Sequence, residues 1–220
     1  MDAHQKSERE MLVLSHRGYW LKPQERNTLA AFERSFSLGY GTETDIRDHC
    51  CKLVISHDMP NSNSLPIEAF FDVHKKYNAR LPLALNIKAD GLQDELARLL
   101  SAYEVSNYFV FDMAVPDGLQ YIHKNIRVFT RQSEFETLPA FYEDAEGVWL
   151  DEFLDHWISD EIIEKHLSHQ KSLCLVSPDL HKRAHKEAWE HYRRLEARIG
   201  RNRLMICTDF PEEAQEYFNE

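Results

Sequence analysis

The sequence has few of the residues that mark specialised protein classes. Its 220 residues include 7 Gly, 8 Pro and 4 Cys, which excludes a collagen-like repeat, a low-complexity chain and a disulfide-stapled scaffold. There is no CxxC pair to indicate a zinc or redox site: Cys50 and Cys51 are adjacent, whereas Cys174 and Cys207 stand alone in apolar runs where burial is expected. The 43% hydrophobic and 29% charged residues are typical of a globular chain that buries a sizeable core.

Positive charge and long apolar runs are also scarce. The 26 Lys and Arg residues are outnumbered by 37 Asp and Glu, and the formal net charge of −11 repels nucleic acid and anionic membranes. This net charge is compatible with a pocket for a phosphorylated small molecule, since such a pocket needs only one or two local cations. No apolar run approaches the length of a transmembrane helix, and Met1–Glu10 lacks the hydrophobic stretch of a secretion signal. We therefore predict a cytoplasmic protein with no nucleic-acid partner and no stable membrane insertion; the sequence does not predict an oligomeric state.

Eight short apolar segments alternate with longer segments of helical periodicity. The predicted strands are Met11–Leu14, Gly41–Ile46, Leu83–Ile87, Tyr108–Asp112, Ile126–Thr130, Gly147–Leu150, Ser172–Val176 and Leu204–Cys207. The predicted helices are Thr28–Ser37, Pro66–Tyr77, Leu92–Tyr103, Pro116–His123, Ser159–His169, His181–Ile199 and Pro211–Phe218, with a weaker candidate at Ser133–Glu143. This alternation predicts an α/β fold in which a parallel sheet closes into a TIM (β/α)8 barrel.

The chain shows no linker, composition break or short internal repeat. We therefore predict one barrel domain over residues 1–220. The competing architecture, a doubly wound open sheet, usually carries a glycine-rich phosphate turn after its first strand. Neither GxGxxG nor GxxxxGK[ST] occurs in the sequence, which favours the closed barrel.

The predicted strands end in polar residues, at the face where TIM barrels carry their chemistry. The first strand runs into His16 and Arg17, followed by a glycine that lets backbone approach a ligand. In the second, Glu43 and Asp45 are two residues apart, so both carboxylates project into the barrel interior. Two inward acids need a cation or protons: a metal site and pairing with Arg17 or Lys88 are equally supported by the pattern.

Further along the chain, another apolar run ends at His57, and the third strand ends with Asn86 and Lys88. Two histidines on either side of a reacting group can serve as acid and base, since imidazole titrates near neutral pH. Lys88 is suited to hold a phosphate or an oxyanion, or to neutralise the inward acids.

Together these motifs resemble the glycerophosphodiester phosphodiesterase family in order and spacing. The matching segments are His16-Arg17-Gly18, residues 27–32 (NTLAAF), Glu43-Thr44-Asp45, His57-Asp58 and residues 207–211 (CTDFP). The resemblance is strongest over Leu12–Asp58. It implies a TIM barrel related to phosphatidylinositol-specific phospholipase C. The implied activity is cleavage of a small phosphodiester, a glycerophosphodiester or a lysophospholipid-like compound, with two histidines and a divalent cation, Mg2+ or Ca2+.

The resemblance also implies roles for individual residues. The implied acid/base pair is His16 and His57, and the implied phosphate-binding cations are Arg17 and Lys88. The implied metal ligands are Glu43, Asp45 and, at the position of the family's third acid, Asn86. In this family the group that attacks phosphorus is water or a neighbouring substrate hydroxyl, so the resemblance allows both hydrolytic and cyclic products. It does not assign which histidine is the acid and which is the base.

This chain departs from the family pattern at three places. Asn86 replaces an acid, which removes one negative charge and predicts weaker metal binding, with Asp112 as a candidate for compensation. The short spacing between His57 and Asn86 leaves no room for the family's inserted cap, which predicts a more open pocket. Arg26 replaces an acid of the first loop.

Other polar or aromatic residues near strand ends are weaker candidates for lining the pocket. They are Arg131, Ser133, Asp151, Ser177, the segment Pro178–His181, Asp209, Trp149 and Trp20. For each, helix capping, turn formation or core packing is the competing role.

Two other functions compete with the phosphodiesterase. One is a non-catalytic barrel that binds a phosphorylated ligand at an incomplete metal site, which Asn86 favours. The other is a sugar-phosphate isomerase or aldolase that uses Lys88, which leaves the two histidine motifs unexplained.

Overall fold

The computed structural model describes residues 11–199 and 204–219. Its strands are β1 (Leu12–His16), β2 (Gly41–His49), β3 (Lys52–Ile55), β4 (Leu65–Pro66), β5 (Leu83–Ile87), β6 (Tyr108–Phe111), β7 (Phe129–Gln132), β8 (Gly147–Leu150), β9 (Ser172–Val176) and β10 (Leu204–Thr208). All except β3 and β4 run parallel to their barrel neighbours, in the order β1-β2-β5-β6-β7-β8-β9-β10. β10 pairs with β1, and a single bridge between Val110 and Val128 joins β6 to β7, so the predicted eight-stranded barrel is confirmed.

The helices surround this barrel. They are α1 (Leu29–Ser37), α2 (Ile67–Asn78), α3 (Gln93–Ala102), α4 (Val115–His123), α5 (Asp160–Ser168), α6 (Lys186–Ile199) and α7 (Pro211–Asn219). Thr28, predicted as the first residue of α1, is its N-cap and accepts a hydrogen bond from the Ala31 N–H. α6 begins later than predicted, because Pro178–His181 form a 3-10 turn that ends at Lys182 in the left-handed region, with φ of 59°.

The weak helix prediction for Ser133–Glu143 is wrong: the connection from β7 to β8 consists of bends and turns. Two of its apolar side chains have no surface to pack against, since Phe135 is 70% and Leu138 is 89% exposed. A short helix without a buried face gains too little from packing to form.

The sequence analysis missed a β-hairpin beside the barrel. β2 continues to His49, the chain turns at Cys50 and Cys51, both with positive φ, and β3 returns antiparallel to β2. β4 adds a third short antiparallel strand to the hairpin. The turn matters for function because β3 leads directly into His57.

Aromatic side chains fill the barrel interior. Phe109 stacks on Phe129 with ring centroids 3.8 Å apart, and Phe111 stacks on Trp149 at 4.0 Å. As expected, Cys174 and Cys207 are buried in this core. Two further clusters pack the helices onto the outside of the barrel, α1 to α4 on one half and α5 to α7 on the other. The filled interior leaves space for a ligand only near the carboxyl ends of the strands.

Among the described residues, none of the helices has the length and apolar character needed to cross a membrane.

Candidate active site

Polar side chains from several strand ends surround one cavity of about 250 Å³. Six of the seven predicted site residues line it: His16, Arg17, Glu43, His57, Asn86 and Lys88. The seventh, Asp45, is fully buried and contacts two of them. The closed barrel thus brings together residues that are far apart in the sequence, because parallel strands present their carboxyl ends at one face.

The loop after β1 holds His16 in a fixed orientation. Arg17 and Gly18 both have positive φ, 59° and 80°, and a Cβ on Gly18 would lie 2.8 Å from the Cβ of Ala31 in α1. Only glycine permits this close packing of loop against helix. His16 Nδ1 lies 2.7 Å from Asp209 Oδ1, and Nε2 lies 3.9 Å from Glu43 Oε2. With Nδ1–H donating to Asp209, the Nε2 atom is the one directed toward Glu43 and the cavity.

Asp209, a sequence candidate for lining the pocket, does not line the cavity and contacts His16 instead. Its second oxygen, Oδ2, lies 3.3 Å from Arg26 Nη2, and the Arg26 guanidinium stacks over the ring of Trp20 at 4.2 Å. The arginine that replaces the family's acid therefore holds the carboxylate that orients His16. Trp20 belongs to this support and does not line the cavity.

The two inward acids have different surroundings. Asp45 pairs with Arg17 Nε at 3.0 Å and with Lys88 Nζ at 3.6 Å, and it accepts a hydrogen bond from Asn27 Nδ2 at 2.9 Å. Glu43 accepts one from the Arg17 backbone N–H at 3.2 Å. Burial, reinforced by the neighbouring charge of Asp45, raises the pKa of Glu43 to about 7. Asp45 is therefore paired with Arg17 and Lys88, which is one of the two alternatives left open by the sequence, whereas Glu43 has no such ion pair within the described residues.

The oxygen atoms of this region suit a hard divalent cation. Asp45 and Asn86 are register partners in the β2–β5 pairing, and the Oδ1 atom of each is buried without a hydrogen-bond donor. Such oxygens are the ligands that Mg2+ and Ca2+ prefer. Within residues 11–199 and 204–219, however, no three side chains of the His, Cys, Asp and Glu types form a ready set of metal ligands. The donor set that fits is Glu43, Asp45 and the amide oxygen of Asn86.

Asp112 does not supply the missing charge as a free carboxylate. It pairs with Arg131 Nη1 at 3.0 Å and with Lys88 Nζ at 3.8 Å. Burial raises its pKa, and these cations oppose the increase. Asp112 therefore belongs to an ion-pair network across the cavity.

His57 lies at the edge of the cavity. Its side chain is 45% exposed, its Nδ1 lies 2.8 Å from Asp58 Oδ1, and its carbonyl oxygen accepts a hydrogen bond from Arg47 Nε at 3.2 Å. The hydrogen bond between His57 Nδ1 and Asp58, together with the charge of His57, lowers the pKa of Asp58. His57 and Arg17 also line a second, larger groove of about 1070 Å³ that includes Met59 and residues 61–64. The active-site cavity therefore continues into open space beyond His57.

The other wall of the cavity comes from β7 to β9 and the loops that follow them. His181 Nε2 lies 2.7 Å from Asp151 Oδ1, and Phe153 packs against the His181 ring with centroids 4.6 Å apart. Asp151, His181 and Trp149 line the cavity, as predicted. Ser177 does not: it is fully buried and accepts a hydrogen bond from Trp189 Nε1 at 2.8 Å.

No family model matches this sequence, and no curated protein is similar to it. Solved structures do share its fold. A phosphodiesterase from Oleispira antarctica, in complex with the product sn-glycerol-3-phosphate, aligns with a TM-score of 0.68 and 14% identity over 96% of this chain and 98% of its own. A glycerophosphodiester phosphodiesterase from Agrobacterium tumefaciens aligns with a TM-score of 0.62 and 15% identity, covering 95% and 97%.

A Ca2+-dependent phosphatidylinositol-specific phospholipase C from Streptomyces antibioticus aligns with a TM-score of 0.56 and 10% identity, covering 95% of this chain and 96% of its own. These identities are low, while the alignments span nearly the whole of each chain. The chain therefore has the TIM barrel fold of glycerophosphodiester phosphodiesterases and of the related phospholipase C, which confirms the fold that the sequence resemblance implied.

Proposed function

We propose that this protein is a metal-assisted phosphoric diester hydrolase that cleaves a glycerophosphodiester or a related lysophospholipid-like compound. The observation that carries the proposal is the cavity that His16, His57, Arg17, Lys88 and Glu43 line together. The polarity suits a phosphodiester, because it offers positive charge for the phosphate and oxygen ligands for a cation. The proposal includes one barrel domain, a cytoplasmic location and a role in lipid metabolism.

Glu43, Asp45 and Asn86 would hold a divalent cation, Mg2+ or Ca2+. Such an ion neutralises nonbridging phosphate oxygens and makes phosphorus more susceptible to attack. Arg17 and Lys88 bind the remaining phosphate charge, and both are already placed by Asp45. Because that carboxylate holds both cations in place, little reorganisation is needed when the phosphate binds.

His16 and His57 transfer the protons. One takes the proton of the attacking water or substrate hydroxyl, and the other donates a proton to the leaving alkoxide. Each has a carboxylate at Nδ1, Asp209 for His16 and Asp58 for His57, which leaves Nε2 for the transfer. Asp209 is held by Arg26, whereas the Asp58 side chain is 93% exposed, so His16 is the more rigidly oriented of the two.

The wall formed by Arg131, Asp151, Phe153 and His181 would contact the leaving group. It combines an aromatic surface with a carboxylate–histidine pair. The groove beyond His57 gives the substrate room outside the cavity. This extra space favours a substrate larger than a bare glycerophosphodiester.

The test is turnover of a panel of glycerophosphodiesters, lysophospholipids and a chromogenic phosphodiester. The protein is stripped with a chelator and then supplied with Mg2+, Ca2+ or Mn2+. We expect cation-dependent cleavage that falls by about 10²-fold or more in His16→Ala and in His57→Ala. His123→Ala serves as the control, since His123 is an exposed residue at the end of α4. Wild-type turnover in either active-site variant would contradict the two-histidine mechanism.

The alternative is a barrel that binds a phosphorylated ligand without cleaving it. Asn86 favours this function, since it leaves the cation site with one carboxylate fewer than the family pattern. Calorimetry with sn-glycerol-3-phosphate distinguishes the two. Cation-dependent binding in a protein that turns over none of the panel would favour the binding function.

A further inference from the structure

Four side chains outside the active site form a continuous chain of hydrogen-bonding groups. We name Glu152, His156, Asp160 and His191 the paired-histidine cluster. Glu152, His156 and Asp160 come from the segment that runs from β8 into α5, and His191 comes from α6. None of the four lines the active-site cavity.

The distances in the cluster are all short. His156 Nδ1 lies 2.6 Å from Glu152 Oε1, and His191 Nε2 lies 2.6 Å from Asp160 Oδ1. Between the two rings, His156 Nε2 lies 3.0 Å from His191 Nδ1. Each imidazole thus has one nitrogen on a carboxylate and the other nitrogen facing its partner.

This arrangement places two lone pairs against each other. A carboxylate is only an acceptor, so Glu152 requires a proton on His156 Nδ1 and Asp160 requires one on His191 Nε2. In neutral imidazoles the facing atoms, His156 Nε2 and His191 Nδ1, are then both unprotonated. Two acceptors 3.0 Å apart repel, so a cation is needed between them. That cation is either one extra proton or a metal ion.

We propose that the paired-histidine cluster binds a transition-metal dication such as Zn2+ through His156 Nε2 and His191 Nδ1. Tetrahedral zinc with bonds of about 2.0–2.1 Å to nitrogen places two ligand nitrogens about 3.3 Å apart, so the rings need to separate by only about 0.3 Å. Glu152 and Asp160 then act as the carboxylates that orient zinc-binding histidines through the remote ring nitrogen. Water completes the coordination.

Neighbouring side chains hold the two imidazole rings in place and leave the His156 ring accessible to an ion from solvent. Glu152 is fully buried, and the His156 ring packs edge-on against Tyr192 with centroids 5.8 Å apart. The His156 side chain is 34% exposed, which gives an ion a path from solvent. Arg198 Nη2 lies 2.6 Å from Asp160 Oδ2, and this positive charge is partly offset because the same guanidinium pairs with Glu164 at 3.1 Å. The net charge of the cluster therefore accommodates a dication.

The first experiment is a Co2+ titration followed by visible absorption, with Zn2+ as competitor. It uses the Glu43→Gln/Asp45→Asn protein, so that the proposed active-site cation site lacks both of its carboxylates. We expect one Co2+ with nitrogen-ligand bands, lost in His156→Gln and in His191→Gln and retained in the control His123→Gln. Asp160→Asn should weaken the site by about tenfold or more while keeping its spectrum.

A second measurement needs no variant. Wild-type protein with saturating Mg2+ is treated with diethyl pyrocarbonate, with and without Zn2+, and the modified histidines are identified by mass spectrometry. Protection of both His156 and His191 by Zn2+ supports the site. Unchanged modification of both, or cobalt bands that survive both histidine substitutions, would overturn it and leave a shared proton between the rings. Neither measurement uses phosphodiesterase activity, so the outcome is independent of the proposed function.

Discussion

At the residue scale, Asn86 is the position at which the proposed cation site differs from the family pattern. Its Oδ1 atom is buried without a donor and lies beside Asp45 in the sheet register. Asn86→Glu adds a negative charge close to Asp45, with Lys88 near enough to limit the repulsion. We expect Mg2+ and Ca2+ to bind about tenfold more tightly to the variant, equivalent to about 1.4 kcal/mol.

Isothermal titration of both cations into wild type and Asn86→Glu measures this effect. Asn125→Asp is the matched control, because Asn125 is exposed and follows α4. Equal affinities in wild type and Asn86→Glu would show that residue 86 does not face the ion.

His166 shows how a single buried imidazole makes stability depend on pH. Its Nε2 lies 2.7 Å from Gln132 Oε1 and its Nδ1 lies 2.8 Å from the Tyr142 hydroxyl, which suits a neutral ring that donates to one and accepts from the other. Burial, followed by the charges of Lys165, His169 and Lys171, lowers its pKa from 6.5 to about 4. The unfolded chain therefore binds the extra proton first as the pH falls.

The contribution of His166 to stability should be complete above about pH 6.5 and disappear between about pH 6.5 and 4. Allowing for partial solvent screening, its size is on the order of 2 kcal/mol. Urea unfolding of wild type and His166→Gln at intervals through this range measures the difference between the two proteins. A difference that stays constant with pH would show that folding does not lower the pKa of His166.

At the scale of elements, one carboxylate in the connection from β7 to β8 holds the loop that follows β8. Glu134 accepts hydrogen bonds from the backbone N–H groups of Phe153, Leu154 and Asp155 at 3.1, 2.9 and 3.2 Å. Burial opposes the charged form, yet these three bonds lower the pKa of Glu134. Glu134→Ala should cost about 1–3 kcal/mol and release the loop that places Phe153 in the cavity.

Hydrogen exchange of the Phe153–Asp155 amides is the direct measurement of that release. We expect faster exchange there in Glu134→Ala and unchanged exchange in Glu143→Ala, whose side chain is exposed in the same connection. Protection that persists in Glu134→Ala would mean that other contacts hold the loop.

The barrel strands and most helices were predictable from the sequence, because each carries its own apolar periodicity. Leu83–Ile87, Gly147–Leu150 and Ser172–Val176 have the predicted bounds, since uninterrupted buried runs define both ends. The β2–β3 hairpin carries no such signal: its turn uses two cysteines with positive φ where glycine or asparagine is usual. Whether a helix forms after β7 depends on the surface against which its side chains could pack. That surface is set by the tertiary structure and not by the local sequence.

The active site was predictable where a local motif carried it and not where distant residues support it. Five predicted residues line the cavity because strand order places them at the same face, and His57 reaches it from the β2–β3 hairpin. The roles of Asp209 and Arg26 in orienting His16 depend on closure between β1 and β10, across most of the chain length. Contacts between residues so far apart in the sequence leave no periodic pattern, so they could not be predicted from a single sequence.

For the whole molecule, two buried groups give stability opposite dependences on pH. In the cation-free protein the pKa of Glu43 is raised to about 7, so the folded state binds a proton that the unfolded chain, with its pKa of 4.5, does not. The contribution of Glu43 to the free energy of unfolding is highest below about pH 4.5. It declines by about 3 kcal/mol in total as the pH rises toward 7. His166 changes in the reverse sense over an overlapping range.

The two contributions should largely cancel between about pH 4.5 and 6.5, so the stability profiles of cation-free wild type and of Glu43→Gln/His166→Gln should run parallel there. Glu43→Gln removes the decline and keeps the slope of His166, so its stability should rise with pH relative to the other two proteins. Urea unfolding of the three proteins in chelator tests this balance. A Glu43→Gln profile parallel to that of wild type would show that folding does not raise the pKa of Glu43. A bound divalent cation favours the ionised form of Glu43, so adding Mg2+ or Ca2+ should steepen the wild-type profile toward that of Glu43→Gln.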